Sequence, residues 1–528
     1  MQVINKLITN FISDTKLNRN VHLLLNSLLL MGIAINLWLF ISTPLSGDTL
    51  ICIAASRQAD FLGKFPINVY NSWNLRGIGH KYIFYIIYRI TSMFTGIENH
   101  LIFQNTFKVI YYIIFFLLLT LSIKLLNFDI NKKNNFFLIL FFIMAFIVNS
   151  TYVAVRAEEI AVIFALLQLG FTFHKHHLLN YFSGIFTPIL LSLKGITVYY
   201  SFLIFILLFF LNVKKNKVKI FIISNLIFLI LTFFFYYFVI PQEINDLLLA
   251  TKLQSSFMID LNSFKRLPYY YLISIFHLPL NIFGAILFLK YSIEMYSQNN
   301  LNLKKLFSFL LIPILTAIYV LVQNQFFIYH YYIFYLFYFI LLIKYSIKHK
   351  VSIEKFKLFI IIISLISIFI KTNPLIKRGF VNNRYIKWSN SEFYKNDFYN
   401  TRIQAYAEIN GLIKESSDQN VLFLTDGVAS YLIPSKKSFL KFFYPLPLQR
   451  VTNNNDLFNN DLYIELTDKI LNYEGEYIIL EPKWFHLNQH RQIFDFINQN
   501  FYTVYKYHSD SFTSASVILL KRHSNSQL

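Results

Sequence analysis

The sequence contains few charged residues and almost no cysteine. Asp, Glu, Lys and Arg make up 14% of its 528 residues, whereas a typical soluble domain carries roughly 25%. A single cysteine, Cys52, can form no intrachain disulfide and supplies neither a Cys/His metal framework nor a thiol relay. These shortages exclude a soluble enzyme and any chemistry that depends on cysteine.

Apolar and aromatic residues take the place of the charged ones. Hydrophobic residues make up 56% of the chain, which includes 59 Phe and 36 Tyr. Apolar runs at 21–45, 101–126 and 219–240 are at or near the roughly 17–25 residues that a helix needs to cross a bilayer. The sequence therefore predicts a polytopic α-helical membrane protein. Its net charge of +21 is interpreted through membrane topology, and no nucleic-acid partner is expected.

The topology depends on the segment 80–96. It is short and interrupted by Lys81 and Arg89, so it either spans poorly or lies flat at the membrane interface. If it lies flat, most Lys and Arg residues of the loops fall on the side of the N-terminus. The positive-inside rule favours this placement, with the N-terminus in the cytoplasm.

This topology gives about eleven transmembrane helices and places the C-terminus outside a membrane that we interpret as the bacterial inner (plasma) membrane. Two of the spans, 160–173 and 178–193, are short for a full crossing, which indicates packing within protein. The predicted spans are 21–45, 101–124, 136–150, 160–173, 178–193, 195–212, 219–240, 268–289, 305–322, 328–343 and 356–371.

After Thr372 the composition changes to Asn, Ser and charged residues. Short apolar runs at 421–425, 477–480, 502–507 and 516–520 predict strands, and helical patterns lie near 398–415, 461–473 and 487–499. We therefore predict a transmembrane domain over 1–372, which includes an outer loop at 46–100 with interfacial helices. A small extracytoplasmic α/β domain is predicted over 373–528.

The first candidate for chemistry is Asp48, directly after the first span. A carboxylate at the membrane surface keeps part of its hydration, so its charge is tolerated there. The alternative is that Asp48 caps the amphipathic helix predicted from Thr49 to Ala59, which would lie along the surface. The spacing alone does not separate these two interpretations.

A second charged group stands at the entrance of the fourth span, where Arg156, Glu158 and Glu159 precede the apolar run 160–173. The acids either complement the helix dipole or face an outer cavity. Lys194 lies between two apolar runs, where it either snorkels to the interface or contacts a phosphate at the cavity rim.

Other polar residues on the same side are weaker candidates. His80, Lys81, Arg89, Lys265 and Arg266 add positive charge that suits a lipid phosphate. His330 and Tyr332 open a late span, where an aromatic belt explains the tyrosines equally well. The cluster of His174, His176 and His177 falls on the cytoplasmic side without a nearby carboxylate, so we predict no metal site there.

In this order the residues resemble the GT-C superfamily of membrane glycosyltransferases, in particular bacterial relatives of protein O-mannosyltransferases and lipid A aminoarabinose transferases. Asp48 takes the first position of the Asp-Glu pair usual in the first loop, and Thr49 replaces its Glu. Arg156-Ala157-Glu158 corresponds to Arg-Pro-Glu, and Lys194-Gly195 agrees with a Lys-Gly step. The match is one of pattern and extends over most of the chain.

The resemblance implies transfer of a sugar from a polyprenyl-phosphate donor to a lipid, glycan or protein acceptor at the outer face, with inversion. In that mechanism Asp48 is the general base, and Glu158 orients the acceptor or holds Arg156. Lys194, Arg156, Lys81 and Arg89 contact the donor phosphate, while His80, Glu159, His330 and Tyr332 line the cavity. No cofactor is implied with certainty, and no residue pattern supports a divalent metal.

Three other functions fit parts of the same pattern. A transporter or flippase of lipid-linked sugars also needs a basic outer rim and a lipid groove, although the chain shows no paired halves of the kind that transporters have. A polymerase or ligase of surface polysaccharide uses a similar donor. A membrane scaffold with a partner-binding outer domain is the non-catalytic alternative.

Overall fold

A computed structural model shows a mostly helical chain with one small sheet near its C-terminus. The structure describes residues 19–42, 45, 47–61, 78–126, 132–148, 156–211, 213–241, 265, 268, 279–296, 303–323, 331–348, 353–372, 398–425, 428–440, 461–482, 484–507 and 516–523.

The helices before residue 373 follow the apolar runs of the sequence. Each of the eleven predicted spans overlaps a helix, because long apolar runs of good helix formers satisfy their backbone groups internally. The helices are α1 Arg19–Ser42, α2 Gly47–Phe61, α3 Ile78–Ser92, α4 His100–Leu126, α5 Lys132–Val148, α6 Ala157–Phe173, α7 His177–Phe182, α8 Phe186–Leu193, α9 Tyr199–Phe210, α10 Lys215–Val239, α11 Pro279–Tyr296, α12 Leu303–Gln323, α13 Ile333–Lys348 and α14 Ile353–Thr372.

Two of the described helices are long and apolar enough to cross a membrane by length and composition, over Ile102–Leu126 and Lys215–Val239. The number of crossings therefore stays a prediction. Shorter apolar stretches lie at Leu23–Trp38, Phe136–Phe146, His177–Leu193, Gly195–Phe210, Phe309–Leu321 and Ile333–Tyr345.

Helix α10 shows the kind of surface that requires lipid. Only 11% of an 18-residue apolar stretch of this helix is buried inside the protein. Large apolar side chains are exposed on several of its faces, at Ile222, Leu226, Ile230, Phe233, Leu231, Tyr237 and Phe238. A continuous apolar surface of this extent is unfavourable in water and favourable in a bilayer. The apolar helices thus support a membrane protein.

One predicted span continues further than expected. The span predicted at 268–289 overlaps α11, which is described from Pro279 and continues past the predicted end to Tyr296. The charge of Lys290 does not end this helix because its ammonium lies 4.6 Å from the centroid of the Tyr345 ring, where cation–π attraction and the long aliphatic stem make the position favourable.

The chain divides into two compact units. The first comprises 1–44, 108–244 and 251–385. The second comprises 45–107, 245–250 and 386–528, so the segment predicted as the first outer loop belongs to the same unit as the C-terminal segment. We describe each unit by itself.

Within the first unit, α6, α8, α9 and α10 are joined by a buried polar network centred on Gln168. Its amide nitrogen donates to Thr187 Oγ1 at 2.9 Å and to Asn225 Oδ1 at 3.0 Å. Its amide oxygen accepts from the Ser201 hydroxyl at 2.9 Å. Such interhelical hydrogen bonds between small polar residues are a common means of helix association in membranes.

A glycine permits close packing beside this network. Gly184 lies so near α10 that a Cβ atom on it would approach the backbone carbonyl of Ser224 to 2.4 Å. Backbone atoms cannot move aside as a side chain can, so the two segments require a residue without a side chain here. This close approach holds the 3₁₀ turn over Ser183–Ile185 against α10. Helix α8 is partly buried, whereas α7 keeps Leu178, Tyr181 and Phe182 exposed, so the predicted packing within protein does not hold for α7.

The second unit contains a five-stranded sheet with the strand order β2-β1-β3-β5-β4. Strand β1 pairs in parallel with β2 and β3, whereas β5 pairs antiparallel with β3 and β4. The strands are β1 Asn420–Leu424, β2 Lys437–Ser438, β3 Tyr477–Leu480, β4 Phe501–Tyr507 and β5 Val517–Arg522, and the helices are α15 Phe398–Ile413, α16 Ala429–Leu432, α17 Asp461–Leu471 and α18 Arg491–Asn500. The predicted C-terminal α/β pattern is thereby confirmed as secondary structure.

Helix α2 corrects a prediction. We predicted an amphipathic helix along the surface, but every residue from Thr49 to Ala59 is buried. The reason lies in its small side chains, since Cys52, Ala54 and Ala55 let neighbouring elements approach closely on several sides. A helix that is buried all round belongs to a core.

The C-terminal domain should lose stability in mild acid because of His490. Burial lowers the pKa of His490 from 6.5 to about 4, and the nearby His486 acts in the same direction. The unfolded chain therefore binds a proton between these values that the folded chain does not, so stability falls as the pH drops from about 6.5 to about 4. The loss should be on the order of 2–3 kcal/mol. Hydrogen exchange over α18 and β4, corrected for the intrinsic effect of pH, measures it.

The variant His490→Gln should abolish most of this acid sensitivity, whereas His523→Gln, which also removes one imidazole from the same domain, should retain it. Equal acid sensitivity in both variants would contradict the assignment to His490.

Candidate functional site

The start of α6 brings together two of the residues that the sequence singled out. Lys194 Nζ lies 2.7 Å from Glu158 Oε1 and donates a hydrogen bond to it. The side chain of Glu158 is only 3% exposed and that of Lys194 16%. Lys194 follows the last residue of α8 in an extended conformation, which turns the chain between α8 and the 3₁₀ turn Gly195–Val198. The negative charge that compensates the Lys194 ammonium is therefore supplied by Glu158, within the protein.

The adjacent carboxylate has a different partner. Glu159 is buried, and its Oε1 accepts a hydrogen bond from the Tyr112 hydroxyl at 3.0 Å. Tyr112 lies on α4, which thus contributes to the same group from another part of the chain. The two neighbouring acids of the sequence consequently have separate surroundings, one with an ammonium and one with a phenol.

Arg156 precedes α6 in an extended conformation and is half-buried. Its carbonyl oxygen accepts the first hydrogen bond of the helix, from Ile160 N at 3.1 Å. Arg156 contributes positive charge at Glu159. Both acids occupy the first turn of α6, where the helix dipole also favours negative charge.

Buried tyrosines surround these charges, and sequence reasoning missed all but one of them. The Tyr200 hydroxyl donates to the main-chain oxygen of Glu158 at 3.4 Å, and its ring lies 5.7 Å from that of Tyr319. Tyr332 is buried as well. A usable signal was present for Tyr112, since Tyr111-Tyr112 interrupt the apolar run 101–124 well inside the predicted span, away from the span ends where belt tyrosines belong. Tyr200 lies near the start of α9, where a belt tyrosine is expected, so its sequence position carried no such signal.

We call Arg156, Glu158, Glu159, Lys194, Tyr112 and Tyr200 the α6 cluster. Its chemistry combines carboxylate acceptors with cationic donors in a setting that excludes most water. An ammonium has three protons to donate, so Lys194 can hold Glu158 and an additional anionic oxygen. Charge–charge interactions are stronger in such a setting than in water.

The remaining predicted residues of the first unit are less informative. His330 and Arg266 lie outside the described residues, and Lys265 is exposed. His174 and His176 stack with ring centroids 5.3 Å apart. Within the described part of the chain, no group of three or more His, Cys, Asp or Glu residues could hold a metal ion.

The second unit holds the other predicted phosphate contacts. Arg89 is exposed, and its guanidinium forms an ion pair with Asp60 at 3.0 Å. Lys81 and His80 are buried on α3, and the His80 ring stacks on Phe84 at 4.5 Å. Helix α2 begins at Gly47, so the backbone of Asp48 lies in its first turn, while the Asp48 side chain is outside the described residues.

Helix α2 also carries a buried arginine that the sequence did not single out. Arg57 donates to three main-chain oxygens, those of Ser430 at 2.8 Å, Ile433 at 3.1 Å and Lys436 at 3.1 Å. Burial lowers the pKa of Arg57 from its ordinary value to about 10, so it remains charged at neutral pH. Hydrogen bonds to a charged group contribute roughly 1.5–3 kcal/mol each, which makes this contact a strong one.

Comparison with known proteins identifies no family. No family model matches the chain, and no curated protein matches it. Among solved structures, the chain is similar to the Archaeoglobus fulgidus oligosaccharyltransferase, solved with a tethered acceptor peptide that contains the NVT sequon. The similarity covers 94% of this chain and 74% of that one, at 11% identity and a TM-score of 0.40. Similarity at that level assigns neither a family nor an activity to this chain.

Proposed function

We propose that this protein is a membrane glycosyltransferase of the GT-C kind. It would transfer a sugar from a polyprenyl-phosphate-linked donor to a lipid, glycan or protein acceptor at the outer membrane face. The observation that carries the proposal is the α6 cluster, in which Arg156, Glu158 and Lys194 lie at one buried helix entrance. These residues are among those that carry the GT-C resemblance, and Lys194 lies 36 residues from Glu158 in the sequence.

The proposed reaction is an inverting displacement at the anomeric carbon. The acceptor oxygen forms a bond to that carbon as the bond to the donor phosphate breaks, and the acceptor proton passes to the Asp48 carboxylate. The lipid phosphate leaves with the bonding electron pair. Lys194 and Arg156 stabilise its growing negative charge, and Glu158 keeps the Lys194 ammonium in place.

Transfer of a radiolabelled sugar from a synthetic polyprenyl-phosphate donor by the purified protein in detergent tests this proposal. Labelled product is expected with wild-type protein. Movement of the lipid-linked sugar across a liposome bilayer without any transfer would instead identify a flippase and overturn the proposal.

The proposed outer-face site requires a defined topology, which reporter fusions can check. A reporter fused after Asn134 should be cytoplasmic and one fused after Thr372 should lie outside, because the loop charges favour a flat α3. If the first reporter lies outside, Arg156 and Glu158 are on the wrong side for the proposed mechanism.

A further inference from the structure

The second unit joins two parts of the chain that are more than three hundred residues apart. Helix α2 comes from the predicted first outer loop, whereas its neighbours α16 and β2 come from the C-terminal segment. All residues from Thr49 to Ala59 are buried. The helix that begins with Gly47-Asp48 is therefore a core element of the unit that holds the sheet.

Arg57 is the most specific contact between these parts. Its guanidinium donates to the main-chain oxygens of Ser430, Ile433 and Lys436, three positions of the segment 430–436 that leads from α16 to β2. The planar guanidinium presents donors in a fixed geometry, so it sets orientation as well as distance. Its cation also lies 5.2 Å from the centroid of the Phe61 ring, one turn further along the same helix.

Other contacts hold the surroundings of this helix. Asp60 accepts hydrogen bonds from Tyr85 at 2.8 Å and from Arg89 at 3.0 Å, which ties the end of α2 to α3. The ring of His100 lies 5.1 Å from that of Tyr431, which belongs to the same segment 430–436. The position of α2 thus depends on both α3 and the C-terminal segment.

We propose that Arg57 is a positioning residue for the transfer reaction, through which the C-terminal segment sets the placement of the helix that carries Asp48. This inference rests on the proposed function. Asp48 precedes Arg57 by nine residues, or about 14 Å along a helix axis. Because of that lever arm, a tilt of about 4° at Arg57 displaces the start of α2 by about 1 Å. A displacement of that size in a reacting group can lower the rate roughly a hundredfold.

The test compares Arg57→Met with Arg57→Lys and with the control Arg491→Met, which removes an exposed guanidinium from α18 in the same unit. In Arg57→Met we expect faster hydrogen exchange over 47–61 and a kcat roughly 10–100-fold lower. The KM for the donor should stay within about twofold, because the donor phosphate contacts proposed for the α6 cluster are unchanged. Arg491→Met should match wild type in each measurement.

Arg57→Lys keeps the charge and part of the hydrogen bonding, so its exchange rate and kcat should lie between those of wild type and Arg57→Met. If Arg57→Met fails to fold, Arg57→Lys provides the test of exchange and kcat in its place. Wild-type kcat in a folded Arg57 variant whose exchange over 47–61 is faster would overturn the proposal. Exchange over 47–61 at the wild-type rate in a folded Arg57→Met protein would overturn it as well. An inactive wild-type protein would overturn the proposed function instead, while the exchange measurement would still test the contact itself.

Discussion

Replacing Lys194 with methionine is expected to reduce sugar transfer roughly 10²–10³-fold, the usual effect of removing one group that stabilises developing charge. The structure adds a second expected effect. Lys194 is the cation of a buried ion pair, and removal of one partner from such a pair costs about 3–5 kcal/mol because the other charge stays buried. A snorkelling lysine would cause neither effect.

The double variant Lys194→Met/Glu158→Gln separates the two effects. It removes both charges, so most of the lost stability should return, whereas transfer should stay low because the phosphate contact is still missing. The control is Lys469→Met, which breaks the exposed Lys469–Glu465 pair on α17 and should change stability by less than about 0.5 kcal/mol. Thermal unfolding in detergent and initial rates of transfer provide the measurements.

Two results would count against this role. Normal transfer kinetics in a folded Lys194→Met protein would remove Lys194 from the reaction. Recovery of activity in the double variant would show that the ion pair serves the fold alone.

Replacing Asp48 with asparagine is expected to slow transfer by about 10²–10⁴-fold, the usual effect of losing a general base. Asparagine preserves the shape of the side chain but accepts no proton. The alternative role of Asp48 is structural, because its backbone lies in the first turn of α2. A carboxylate near a helix N-terminus contributes only about 0.3–1 kcal/mol through the helix dipole.

The Asp48→Asn protein should therefore unfold close to the wild-type temperature while its turnover falls. Asp495→Asn, which changes an exposed carboxylate on α18, should alter neither property. Near-normal turnover of Asp48→Asn would remove Asp48 as the base. Glu159 would then be the next carboxylate to test, since Glu158 is occupied by Lys194.

The C-terminal domain was predictable because its local signals agree with its tertiary packing. The strand predicted at 477–480 has those bounds in the structure, and it is buried along its whole length. A short continuous apolar run is typical of a central strand. The two-residue strand β2 was missed, because its sequence Lys437-Ser438 carries no such run and its pairing with β1 depends on the fold.

Helix α2 shows where local signals fail. Its sequence predicts a helix correctly, but its polar residues Ser56, Arg57 and Gln58 suggest a water-facing side. They are buried, and the terminal nitrogens of Arg57 donate to main-chain oxygens of a segment more than three hundred residues away. Main-chain acceptors have no sequence signature, so no pattern could have identified this partner.

The sequence by itself determined the membrane character, the helical segments, the α/β pattern after residue 398 and the acidic and basic residues worth testing. Composition and periodicity decide these because each is a local property of the chain. Only the tertiary structure decided that Glu158 pairs with Lys194, that Glu159 binds Tyr112 and that α2 lies in a core with the C-terminal segment. These depend on contacts between distant segments, and a buried charge selects its partner by three-dimensional proximity.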